Sequence, residues 1–91
     1  MGSFITYSAD NKEVSIYMNW NAIISNRTPV RTKDSTKFGY VAGEYKDNFV
    51  VIEGRVVSHE YVIPKDKVDH YDGRELFLKM RHVEIGTDYE L

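Results

Sequence analysis

Between Thr28 and Met80 the chain carries short runs rich in Val, Ile, Tyr and Phe, separated at close intervals by turn residues. β-branched and aromatic side chains suit a pleated, half-buried surface, and turn residues every few positions leave no room for long helices. The runs are Pro29 to Thr32, Lys37 to Tyr45, Phe49 to Glu53, Val56 to Ile63 and Glu75 to Met80. The breaks between them are Lys33-Asp34-Ser35-Thr36, Lys46-Asp47-Asn48, Gly54-Arg55 and Asp72-Gly73. Such a pattern points to an antiparallel sheet closed on itself, a small strongly curved β-barrel of five to six strands. Phe49 to Glu53 is nearly continuously apolar and reads as a central strand buried on both faces. Leu76, Leu78 and Met80 alternate, so they share one face. Gly39 and Gly43 stand four apart within one run. Glycine inside a strand marks sharp curvature or a close backbone approach. A phosphate-binding reading fails, because no helix follows and the spacing fits no nucleotide fingerprint.

Two short helical turns interrupt the strands. Asn19 can cap a turn over residues 20–25, with Trp20, Ile23 and Ile24 on one face. Pro64 can open a second over 64–68. Residues 1–18 form a lead-in that is either an extra hairpin (FITYS with EVSIYM) or a helix begun at Asp10 and Glu13; extended structure is favoured. Residues 82–91 read as an acidic tail, loose or docked. Residues 19–81 are then the domain. Met1-Gly2-Ser3 reads as an expression scar.

Ninety-one residues make one domain with one modest core. Twelve basic and 14 acidic residues give a net charge of -2, without the basic excess of a general nucleic-acid binder. No cysteine is present, which removes disulfides, thiolate-held metals and thiol catalysis and fits a reducing, cytoplasmic compartment. No apolar run approaches the roughly 18–20 residues of a membrane span.

His59, His70 and His82, with Glu60, Asp69, Asp72 and Glu84 beside them, are the only candidates for a metal site. Imidazole plus carboxylate suits zinc. No pair has the close spacing that assembles ligands on one strand or helix face, so solvated or partly packed histidines are the expectation and no metal or cofactor is assigned. No nucleophile elbow occurs, and Ser58 and His59, adjacent on a strand, point to opposite faces. The reading is non-catalytic. Arg27, Arg31, Lys33 and Lys37 cluster near Phe38 and Tyr40, a combination able to hold single-stranded RNA by phosphate contact and stacking. Lys65, Lys67, Arg74, Lys79 and Arg81 alternate with acids and read as ordinary solvated surface.

The order of these features resembles the PRC-barrel family, whose members include the reaction-centre H subunit and the C-terminal domain of the ribosome-maturation factor RimM. The matching residues are Val30, Asp34, Gly39 and Val41, then Ile63, Pro64 and Val68, then Asp72, Gly73, Leu76 and Leu78. The segment from Trp20 to Ile24 is similar to the one that introduces stand-alone archaeal and bacterial versions. The resemblance covers residues 19–80. It departs at Ser35, where many members carry glycine. It implies a module that binds another macromolecule and has no shared catalytic set. The expected function is protein interaction as an adaptor, with RNA or ribosome association as the alternative. Trp20, Arg31, Lys33, Tyr45, Tyr61 and Tyr71 are the candidate contact residues, and an exposed strand edge could pair a second copy into a homodimer.

Overall fold

The computed structural model describes residues 18–91, and the alternatives for residues 4–17 lie outside them. Helix α1 (Trp20–Ser25) begins where the side chain of Asn19 accepts a hydrogen bond from the Ala22 N–H at 3.1 Å. Its six residues are too few to hold a helix alone. It persists because Trp20 and Ile23 are buried and Ile24 packs beside them. The chain leaves α1 through Thr28, whose hydroxyl and N–H both donate to the Ile23 carbonyl.

Six strands follow: β1 (Pro29–Arg31), β2 (Lys37–Tyr45), β3 (Asn48–Glu53), β4 (His59–Pro64), β5 (Val68–Tyr71) and β6 (Leu76–Leu78). They form one sheet in the order β4-β3-β2-β1-β6-β5. All neighbours are antiparallel except β1 and β6, which run parallel with Val30 opposite Leu76. The sheet is therefore mixed, not purely antiparallel, and no ladder joins β4 to β5 among the described residues. The expected closure is absent at that seam.

The sheet is nonetheless rolled. Its two edge strands, β4 and β5, are consecutive in the chain, joined by a 3-10 turn of three residues, Lys65–Lys67. In a flat sheet these edges would lie about 24 Å apart, five spacings of ~4.8 Å. The link from Pro64 to Val68 spans at most about 14 Å. Only strong curvature brings the edges that near.

Strand β2 supplies much of that curvature. Against β1, the single residue Val30 faces two, Phe38 and Gly39, since Pro29 pairs with Tyr40 and Arg31 with Lys37. Against β3, Val41 pairs with Val51 but Gly43 with Val50, which leaves Ala42 as an extra residue. Each bulge bends the strand and increases its twist. Strict alternation would bury Phe38 with Tyr40; instead Phe38 and Val41 are buried, three residues apart. Gly39, with φ of +80°, makes this shift, and a Cβ there would stand 2.2 Å from the Ile52 carbonyl oxygen.

Strand β3 is central but not buried on both faces. Phe49 and Val51 point into the core, while Val50 and Ile52 are half-buried. Strand β4 starts later than the sequence suggested. After Gly54 (φ +116°) the chain bends, and Val56 is 96% exposed in the loop before His59. Strand β5, in a stretch where the sequence predicted no strand, forms because Val68, His70 and Tyr71 pair with β6.

The last ten residues are not a loose tail. Helix α2 (His82–Asp88) starts where the Glu84 carboxylate accepts from the Arg81 N–H at 2.8 Å. Ile85 is fully buried, and the His82 ring meets Phe38 edge-on at 5.1 Å. Beyond the helix, the Val62 N–H donates to the Tyr89 carbonyl and the Leu91 N–H to the Glu60 carbonyl. The tail thus covers part of the β4 edge, which would otherwise be open to pairing. Burying Ile85 contributes about 1.5–3 kcal/mol. Among the described residues no helix is long and apolar enough to cross a membrane.

Candidate binding surface

The candidate residues separate into a buried set and an exposed set. Trp20 is 3% exposed, with its ring centroid 5.0 Å from that of Phe49. Tyr61 is 6% exposed, 4.7 Å from Phe38 by ring centroids. Burial pushes its phenol above the ordinary tyrosine range, helped by the charges of Glu90 and Glu53. Both residues were candidate contacts, and both are core residues. The aromatic character that marks an interface anchor also marks a core anchor, and here the core claims them. Tyr71 is half-buried against the same core.

Tyr45 is different. It lies at the end of β2, 66% exposed, with the Lys46 ammonium 5.3 Å from its ring centroid. Arg31 and Lys33 also reach the surface, Arg31 half-buried and Lys33 exposed. Arg31 is tied down: its Nε lies 3.0 Å from the Glu75 carboxylate and its terminal nitrogen donates to the Ser35 carbonyl at 2.9 Å. It braces the β1–β2 turn across to β6. The Lys33 N–H donates to the Met80 carbonyl at 2.7 Å, which fixes the same turn beside the end of β6.

The three histidines stand apart. His59 opens β4 and pairs with Glu90 of the tail. His82 packs on Phe38. His70 lies on β5, with Nδ1 2.7 Å from the Asp69 carboxylate. A carboxylate only accepts, so Nδ1 carries the proton. No three His, Asp or Glu side chains among the described residues are grouped to hold a metal ion.

Two turns are held by carboxylates. Asp72 accepts from the backbone N–H of Glu75 at 2.7 Å and of Arg74 at 2.8 Å. These bonds, Glu75 first, hold its pKa below the usual value. Asp34 accepts from the Thr32 hydroxyl, and that bond lowers its pKa likewise. The turn passes through Ser35 at φ of +65°, a left-handed conformation.

Sequence reasoning missed two side chains. Lys65, read as solvated, is 4% exposed. Its ammonium bonds the Glu44 carboxylate and sits 5.0 Å from the Trp20 ring centroid. A lysine directly after proline in a charged run carries no local sign of burial; its partner is 21 residues away. Phe77 is the second. It is half-buried on the outer face of β6, and the His70 ring stacks on it, centroids 4.3 Å apart and planes 10° apart. The alternation of Leu76 and Leu78 into the core was the signal that put Phe77 outside.

Two clefts open beside these groups. One, of about 540 Å³, lies between the β1–β2 turn and the outer face of β5 and β6, bordered by Lys33, Ser35, His70, Phe77 and Lys79. The other, of about 390 Å³, lies between the 3-10 turn and α2, where Asp66, Glu84 and Asp88 face Lys67 and Lys79. No family model, no curated protein and no solved structure matches this chain.

Proposed function

We propose that this chain is a cytoplasmic, non-catalytic module of the PRC-barrel type that works as an adaptor by binding another protein. The observation that carries the reading is the rolled sheet itself. Motif residues Val30, Gly39, Val41, Ile63, Val68, Leu76 and Leu78 all take part in its strands, and Ile63, Pro64 and Val68 lie at the corner that rolls it. The side chains of Val30, Val41, Ile63, Val68, Leu76 and Leu78 are buried, so the resemblance rests on residues that fill the core of that sheet. Tyr45 is the best-placed contact residue, large, exposed and carried at a strand end. The outer edge of β5 is a second place where another chain, a second copy included, could add.

The test is capture on the immobilised domain from lysate of the source organism, with and without RNase, alongside Tyr45→Ala. A stoichiometric protein that survives RNase and is reduced by the substitution supports the adaptor. Recovery of the domain alone refutes it.

A second reading, RNA or ribosome association, is favoured by one specific observation. Lys33 and Lys79 border a cleft with a stacked aromatic pair on its wall. Ribosomal particles that are lost on RNase treatment would support it.

A further inference from the structure

We propose that the outer face of β5 and β6 is a site for single-stranded RNA, with a base stacked on His70 and the adjoining phosphates held by Lys33 and Lys79. The inference rests on the RNA reading and assigns it a place. Phe77 covers one face of the His70 imidazole at 4.3 Å, and the side chain remains 54% exposed, so the opposite face is open to a flat ring. The Asp69 carboxylate at 2.7 Å fixes the imidazole's rotation, so the platform is set before a ligand arrives. Every base has a π-face, and stacking on such a platform needs no particular sequence.

The lysines supply the second element. Lys33 and Lys79 border the same cleft, and neither ammonium makes an ion pair among the described residues. Arg31, by contrast, is spent on Glu75 and Ser35 and serves as a brace. Among the described residues Asp69 is the one acid bordering the cleft, and His70 engages it. The cleft's volume of about 540 Å³ is within the roughly 300–1,000 Å³ of small-ligand sites, room for one or two nucleotides.

The experiment titrates the labelled full chain with an oligouridylate decamer at low salt, with AMP and a duplex RNA as separate arms. The expected result is movement of the His70 and Phe77 ring signals by the decamer and little by the duplex. His70→Ala, an exposed position that leaves the core intact, should weaken binding about tenfold. Lys33→Ala with Lys79→Ala should reduce the log–log salt slope by about 1.4, two phosphates at ~0.7 each. Binding that leaves both rings unmoved overturns the site but keeps the RNA reading. No binding at low salt overturns both. Movement of the rings by AMP without binding of the decamer overturns the single-strand assignment in favour of a free mononucleotide.

Discussion

Replacing Gly39 with alanine would place a Cβ 2.2 Å from the Ile52 carbonyl oxygen, 2.9 Å from its carbon and 3.0 Å from the Glu53 Cα. All three atoms are backbone of the paired strand and cannot turn aside as a side chain can. The residue also holds φ at +80°, which costs an L-residue about 1–2 kcal/mol. Forcing the strands apart adds about 1–3 kcal/mol, as overpacking does. The expected loss is their sum, about 2–5 kcal/mol, against a total stability of roughly 5–15 kcal/mol for a domain. Thermal unfolding should then move down by about 8–40 °C, at ~4–8 °C per kcal/mol for a chain this size. Trp20, buried against Phe49, reports the transition by fluorescence in urea. Gly43→Ala is the control. It lies in the same strand, with no positive φ and nothing within 4 Å of an added Cβ. It should be neutral or gain up to about 1 kcal/mol. Equal losses at the two positions, or none at Gly39, would refute the claim that close approach at Gly39 bends β2.

Three further outcomes follow from named contacts. Ile85→Ala should cost about 2–5 kcal/mol, because it empties a fully buried position; an unchanged urea midpoint would mean that α2 is not docked. Ser35→Gly should stabilise by about 0.5–1 kcal/mol, the relief of a left-handed residue less the entropy of glycine, and a loss of stability would contradict that turn. The folded-state pKa of Asp72 is lowered, so its contribution is present above the unfolded value near 3.8 and is lost as pH falls through the folded value. Asp72→Ala should cost about 1 kcal/mol at pH 7, a small figure for a solvent-screened group, and flatten the acid limb of the stability curve below about pH 4. A mutant curve parallel to the wild type in acid would dispose of that linkage.

Local chemistry made much of this fold readable. Asn19, Trp20 and Ile23 announce α1 through a cap and one apolar face, and Asp72-Gly73 announces its turn by a side chain that bonds its own backbone. Gly39 was legible because glycine inside a strand has few other uses. The failures were long-range. Strand β5 has one buried apolar residue, Val68, and exists only because β6 pairs with it. The parallel match of β1 to β6 joins residues 46 apart in sequence (Val30 with Leu76), and no periodicity reveals such a partner. Val56 and Val57 have strand-like chemistry, but the bend at Gly54 leaves them in solvent. Helix α2 contains Val83, Ile85, Gly86 and Thr87, poor helix formers, and its order comes from Ile85 in the core. The binding surface was the least legible part. Arg31 and Lys33 look alike in sequence, yet one is braced by Glu75 and the other is exposed.

The buried Lys65, the docked α2 and the cleft beside His70 all depend on a sheet rolled so that β6 lies parallel to β1 and β4 passes to β5 through three residues. The most direct measurement is the set of interstrand proton contacts and cross-hydrogen-bond couplings in solution for the labelled chain. Parallel contacts should join Val30 to Leu76 and Arg31 to Phe77, with the Val62 amide bonded to Tyr89. An antiparallel β1–β6 match, or a Val62 amide exchanging freely with water, would contradict that arrangement.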